Sequence, residues 1–162
     1  MRYPTEVLGE VEIRPWLNEA EVQYLTAFAR TRRWFRPQGP YVVLGPDAVE
    51  TYDDLAAINR PWPGEPSLAC DWVPSDNGRR MCFNGRESFC QPAEWLRYLV
   101  DTFLGPEAAA RQSKEPVFER FTFDHVLNGV FALRRRDTGR LWLIEVVDNE
   151  ITERELVAAA AA

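Results

Sequence analysis

The chain of 162 residues has one histidine, His125, and three cysteines, Cys70, Cys82 and Cys90. That scarcity closes several routes to chemistry. Ser–His or Cys–His catalysis would have to use His125. It lies in the extended apolar run Phe123-Asp124-His125-Val126, and the chain has no G-x-S-x-G nucleophile elbow. A structural histidine is therefore expected. Three cysteines spaced C-x11-C-x7-C do not make the even-numbered framework of a small secreted domain. They also lack the close pairs of a structural zinc site. Free, mostly buried thiols in a reducing compartment are expected. Neither G-x-G-x-x-G nor G-x-x-x-x-G-K-[ST] occurs, so there is no phosphate loop, and no acidic run has the ligand spacing of a calcium loop. No apolar run approaches the roughly 20 residues that cross a bilayer. The N-terminal MRYPTEVLGEVEIRP carries charge and alternation where a signal peptide has an apolar core. A cytoplasmic location without membrane attachment is the expectation, with no catalytic residue, no cofactor and no metal assigned.

Positive charge is also in deficit. The net charge is −6 and the sequence pI about 4.9, which opposes general nucleic-acid binding, since that rests on a basic footprint. The charge is uneven, however. Val22 to Gly45 has no acid but holds Arg30, Arg32, Arg33 and Arg36, whereas Asp47 to Asp76 holds seven acids against Arg60 alone. Such polarity steers partners in some proteins and is a solvated surface in most. Arg32, Arg33, Trp34 and Phe35 interleave cations with rings, as single-strand binders do. Arginines at a helix C-terminus complement its dipole and are the simpler account.

What is present describes a fold. Apolar residues make up 46% of the chain, enough for a core in one domain of this length. The organising stretch is Pro66 to Gly105. Leu68 to Val73 alternates as a strand and ends at Pro74. Asn77-Gly78 is hairpin chemistry, and Arg79 to Phe83 returns antiparallel. Asn84-Gly85 makes a second turn, and Glu87 to Cys90 reads as a third short strand. Pro92 opens a helix in which Trp95, Leu96, Leu99, Val100 and Phe103 form one apolar face, stopped by Gly105-Pro106 with glycine as a left-handed cap.

Upstream, Val7, Gly9, Val11 and Ile13 alternate with polar residues as a half-buried strand. Asn18 with Glu21 is a capping-box variant that opens a helix over Glu19–Trp34, its core face Val22, Leu25, Phe28 and Ala29, with Tyr24 at the border. Pro37 to Pro66 contains six prolines and is mostly irregular, with a brief strand over Tyr41–Leu44 and a helical turn over Val49–Ile58. A loop this long in a compact domain is often functional. Downstream, Glu107–Pro116 reads as a linker. Val130–Arg136 and Leu141–Val147 form a hairpin around Asp137-Thr138-Gly139. The near-continuous apolar run Leu141–Val147 predicts a central strand covered on both faces, and Ile151–Val157 an edge strand.

Several of these pieces resemble an uncharacterised family of small soluble proteins from actinobacteria and the phages that infect them. They are Gly9-Glu10-Val11-Glu12-Ile13-Arg14-Pro15, Thr31-Arg32-Arg33, Asn59-Arg60-Pro61, Cys70-Asp71-Trp72-Val73-Pro74, Glu94-Trp95-Leu96-Arg97-Tyr98-Leu99, Leu127-Asn128-Gly129-Val130 and Asp148-Asn149. The resemblance spans nearly the whole chain in order and implies no activity, cofactor or catalytic residue. Arg134-Arg135-Arg136 is unlike the acidic hairpin usual in that family.

The fold expected is α+β, a mainly antiparallel sheet packed by two amphipathic helices, Glu19–Trp34 and Pro92–Leu104, in a single domain over residues 1–157 with an alanine tail at 158–162. The function expected is a non-enzymatic protein-interaction or regulatory module, such as a phage or mobile-element accessory protein. The alternative is a small-molecule binder or enzyme with a pocket under the Pro37–Pro66 loop. Candidate binding residues are Trp62, the preferred anchor, with Arg60, Asp53, Asp71, Trp72, Arg32, Arg33 and Trp34. The acids among them can equally be turn caps, and the aromatics lids over a core edge.

Overall fold

The computed structural model describes residues 5–50, 56–86 and 89–160. Its centre is a six-stranded antiparallel sheet in the order β2-β3-β1-β4-β5-β6. The strands are β1 (Thr5–Arg14), β2 (Trp72–Pro74), β3 (Arg80–Phe83), β4 (Val126–Arg135), β5 (Leu141–Val147) and β6 (Glu150–Val157). β1 and β4 pair over their full length, Val11 opposite Gly129, which joins the N-terminal strand to the C-terminal hairpin. The α+β architecture is the one expected.

Helix α1 spans Glu19–Arg30 and packs over β2, while α2 spans Pro92–Leu99 and packs over β2 and β6. Both lie on one face of the sheet. Alternation sends Val11, Ile13, Leu127, Phe131, Leu133, Trp142, Ile144, Val146 and Ile151 to that face, where all are buried. Trp72 stacks on Phe131 at 4.3 Å between ring centroids, and Phe28 meets Phe103 edge-on at 5.1 Å. Tyr24, expected at the border of α1, is in the core against Phe103, Phe118 and Phe121. Its hydroxyl leaves the apolar cluster by donating to the Tyr41 carbonyl.

Several boundaries differ from the sequence pattern, each for a local reason. α1 stops at Arg30 and not at Trp34, because Thr31 turns extended (φ −86°, ψ 124°) and its hydroxyl donates back to the Ala27 carbonyl. α2 continues past Leu99 as a turn of wider π-helix over Val100–Leu104. Gly105 then ends it in an extended conformation, not as a left-handed cap. The strand expected over Leu68–Val73 forms only at Trp72–Pro74, and Tyr41–Leu44 forms none. Glu107–Pro116 is more than a linker: a short helix α3, Ala109–Ser113, buries Ala110, with Ala108 buried just before it. Of the Val49–Ile58 turn the described part is a 3₁₀ turn at Ala57–Asn59. Glu87 and Ser88 lie outside the described residues, and Phe89 and Cys90 are not in a strand.

β5 is also not covered on both faces. Trp142, Ile144 and Val146 are buried under the helices, whereas Leu141 and Leu143 are only half-buried and Val147 is 62% exposed on the face that no helix of the described residues covers. The hairpin at Asn77-Gly78 forms as read. Gly78 has φ +73°, and a Cβ there would sit 2.3 Å from the Leu17 carbonyl oxygen, so the turn closes against the chain entering α1. Leu17 N–H in return donates to the Gly78 carbonyl at 2.9 Å.

Candidate interaction surface

Where α1 ends, the chain becomes extended and Arg32, Arg33, Trp34, Phe35 and Arg36 run beside residues 58–62. Trp34 bridges Pro61, Phe35 N–H donates to the Arg60 carbonyl at 2.8 Å, and Trp62 N–H donates to the Arg33 carbonyl at 3.3 Å. This pairing lays the proline-rich loop against the helix end. The side chains then fix it.

Arg33 is buried, 1% exposed. Its guanidinium donates to the carbonyls of Pro40 and Val42 and pairs with the Glu65 carboxylate at 3.2 Å, and it lies 3.9 Å over the Phe28 ring. One cation thus ties both ends of the loop to α1. Arg36, also buried, forms a two-pronged bond to Glu50, the geometry that suits a planar guanidinium. The Trp34 indole N–H donates to the same carboxylate at 2.8 Å. Arg32 stays exposed and donates to the Ile58 carbonyl and to Asn59 Oδ1. Arg36 holds the Glu50 carboxyl below its ordinary value, against the upward push of burial and with help from Trp34. Burial pushes Glu65 up to about 7, against the pull of Arg33.

The acid-free run and the acid-rich run that follows are therefore partners within one chain. Arg33 pairs with Glu65 and Arg36 with Glu50, while Arg30, Arg32, Asp47 and Asp76 remain exposed, so the polarity is spent in part on holding the loop and in part on a solvated surface. Sequence reasoning placed the arginines but missed Glu50 and Glu65. The usable signal was the complementarity of the two runs. The arginines beyond Arg30 also do not cap the α1 dipole, because the helix has already ended.

What this frame holds toward solvent is a three-layer stack. Phe35 and Trp62 lie 4.5 Å apart at 12° between planes, and the Arg60 guanidinium sits 4.9 Å from the Phe35 centroid. Arg60, Pro61 and Pro63 are exposed, and Trp62 and Phe35 half-exposed. In the sequence Phe35 stood out only within the ring-and-cation run and not among the candidate binding residues. A second pair of this kind stands elsewhere: Arg79 covers Trp16 at 3.9 Å, with the indole 54% exposed.

The other sequence candidates separate from this surface. Trp72 is 1% exposed, stacked in the core, and donates its indole N–H to the Pro92 carbonyl at 2.8 Å. It is core, not a binding residue. Asp71 is buried as well, held by Asn84 Nδ2 at 3.1 Å and by Arg86 at 3.4 Å. Its carboxyl is raised by burial, against the effect of those two partners. Asp53 lies outside the described residues. Among the described residues Asp71 and Trp72 lie in the interior while Arg60 is exposed on the loop, so the structure does not bring these three side chains together. A cleft of about 540 Å³ opens instead between Glu65 and Pro66 at the loop's end and Gln91, Arg97 and Tyr98 beside it.

His125 is 1% exposed. Nδ1 meets the Pro15 carbonyl and Nε2 the Glu21 carboxylate, each at 2.6 Å. Both neighbours are acceptors, so the doubly protonated imidazolium is the form that satisfies them. Burial lowers its pKa, but the bonds to Glu21 and Pro15 and the nearby Asp124 outweigh that and leave it raised. The other Glu21 oxygen closes the α1 capping box with Asn18. Cys70 is buried, its thiol pushed by burial up to about 12, while Cys82 is half-buried and Cys90 exposed. Among the described residues no group of three or more His, Cys, Asp or Glu is placed to hold a metal ion, and no helix is long and apolar enough to cross a membrane. Comparison with protein-family models, curated proteins and solved structures finds no match to this chain.

Proposed function

We propose that this chain is a non-enzymatic interaction module that grips a protein partner with the Arg60–Phe35–Trp62 stack. The observation that carries this is the stack's preorganisation. Tryptophan and arginine dominate binding hot spots, and here the rings are already stacked and the guanidinium already laid over them. Little side-chain freedom is left to lose on binding. The frame beneath is rigid because two buried arginines anchor it. Arg60 makes no ion pair among the described residues, so the complementary partner surface presents a carboxylate beside an apolar or aromatic group. The family resemblance supports placing that role in a phage or mobile-element accessory protein acting on a host protein.

The test is capture from an actinobacterial lysate by immobilised wild type, Arg60→Ala and Trp62→Ala, with circular dichroism as a folding control. Wild type is expected to retain a defined partner, and each variant to weaken binding by about 2 kcal/mol, roughly thirty-fold in Kd. Equal capture by all three proteins, or none by wild type, would remove the proposal.

A second proposal concerns the cleft beside Glu65. Its volume of about 540 Å³ is within the roughly 300–1,000 Å³ of small-ligand sites, and Glu65, Glu94, Asp101 and Tyr98 are among the residues that line it. Thermal-shift screening with small cationic and aromatic fragments tests this, and a shift abolished by Tyr98→Ala is expected.

A further inference from the structure

We propose that Asn84-Gly85 is a modification site, at which asparagine converts to aspartate or isoaspartate while two other Asn-Gly steps stay intact. The reaction belongs to the dipeptide and needs only water. The Gly nitrogen attacks the Asn Cγ. The side-chain nitrogen leaves as ammonia, taking up the proton that the Gly nitrogen gives up, and a cyclic imide remains. Water then opens either of its carbonyls, and nothing is oxidised or reduced. Closing the ring requires rotation about the Asn Cα–C bond and a Gly N–H free of other bonds. The fold decides which step meets that demand.

The sequence holds Asn77-Gly78, Asn84-Gly85 and Asn128-Gly129. Gly78 is buried against Leu17, and its N–H donates to the Ser75 carbonyl at 2.9 Å. Gly129 lies inside the sheet, paired with Val11 on one side and Val146 on the other. Asn128 is held through both ends of its amide by Asp148. A strand paired on both sides fixes the backbone rotation that the ring needs. Gly85 differs from both glycines. It is exposed, and a Cβ there would meet nothing within 4 Å. Among the described residues its N–H donates to no group. The Asn84 Oδ1 accepts from the Arg86 N–H at 2.9 Å, which draws electrons from Cγ and favours attack.

The position also gives the modification a consequence. Asn84 Nδ2 donates to Asp71 Oδ1 at 3.1 Å, and the Asp71 side chain is 1% exposed. Conversion replaces that donor with a second carboxylate, so a buried acid meets a like charge. Arg86, at 3.4 Å, is then the side chain left to hold Asp71 among the described residues. The Asn84 N–H also donates to the Asp71 carbonyl at 3.0 Å, just beyond the Trp72–Phe83 pair of β2 and β3. An isoaspartyl link adds a carbon to the backbone at that point and distorts the contact.

Peptide mass spectrometry tests this on wild type kept folded in mildly alkaline buffer and sampled over time, with a parallel sample in urea. In the folded protein the mass gain of an amide-to-acid exchange is expected at Asn84 about tenfold or more ahead of Asn77 and Asn128, a factor that one retained hydrogen bond can supply. In urea the three rates are expected to converge, because glycine follows in each case. Asn84→Asp reproduces the aspartyl product without the backbone change. It is expected to melt about 3–8 °C below wild type with unchanged circular dichroism. Asn77 or Asn128 reacting first in the folded protein, or all three together, overturns the site. A lead for Asn84 that is as large in urea overturns the role given to the fold. An Asn84→Asp variant that melts with wild type overturns the consequence for Asp71. The mapping needs no variant and no partner, so it fails separately from the capture experiment on Arg60 and Trp62.

Discussion

His125 illustrates how a single side chain can be fully engaged without being reactive. Its two ring nitrogens meet the Pro15 carbonyl and the buried Glu21 carboxylate, so it holds the start of α1 to the approach of β4. Because its folded pKa is raised, its contribution to stability is complete below the ordinary value of about 6.5. That contribution is lost as pH rises through the raised folded value. Glu65, raised from 4.5 to about 7, acts with the same sign over the lower window between those values. The histidine's share is therefore read as a difference. Thermal melts across neutral pH should show wild type losing Tm as pH rises, and His125→Gln should melt lower on the acid side with a flatter profile. Parallel profiles for the two proteins would refute the imidazolium assignment. The sequence indicated a structural role for His125 from its apolar surroundings, and it identified the Asn18–Glu21 cap. It gave no sign that Glu21 serves both, since the two residues are about a hundred positions apart and only the fold brings them together.

At the level of elements, the decisive event is the early end of α1. Had the helix run to Trp34, Arg33 and Arg36 would have projected from its last turn. Because Thr31 turns extended, they point inward and hold the long loop. Arg33→Met should remove the partner of buried Glu65 and strand the Pro40 and Val42 carbonyls. Breaking a buried pair on one side costs about 3–5 kcal/mol, a large part of the roughly 5–15 kcal/mol of a domain. Urea denaturation is expected to show that loss, and limited proteolysis to cut within residues 37–66 before the sheet opens. A variant as stable and as resistant as wild type would show that the loop is held by its backbone pairing alone. Helix existence, the Asn77-Gly78 hairpin and the C-terminal strands were legible because periodicity and turn chemistry are local. The end of α1 was not, since Thr31, Arg32 and Arg33 are acceptable in a helix and only their distant partners draw them out of it.

For the molecule as a whole, the arginine-rich stretches do not amount to a basic surface. Arg33 and Arg36 are buried in pairs, Arg134 and Arg136 both bind Glu6, and Arg135 binds Asp137. With a net charge of −6, single-stranded DNA should produce no salt-dependent mobility shift. A shift that falls with ionic strength would contradict this and reopen the ring-and-arginine segment as a nucleic-acid site. The same scale separates what was written in the chain from what was not. The amino-acid sequence by itself determined an α+β protein with a mainly antiparallel sheet, a capped first helix and a Pro-initiated second one. Those features follow from the spacing of apolar residues and from the conformational limits of proline, asparagine and glycine. Only the tertiary structure decided that Trp72 and Asp71 are interior, that Arg33 and Arg36 spend their charge on Glu65 and Glu50, and that one face of β5 stays open. Each of these depends on which residues far apart in the chain come within a few ångströms, and pattern along a sequence carries no direct measure of that distance.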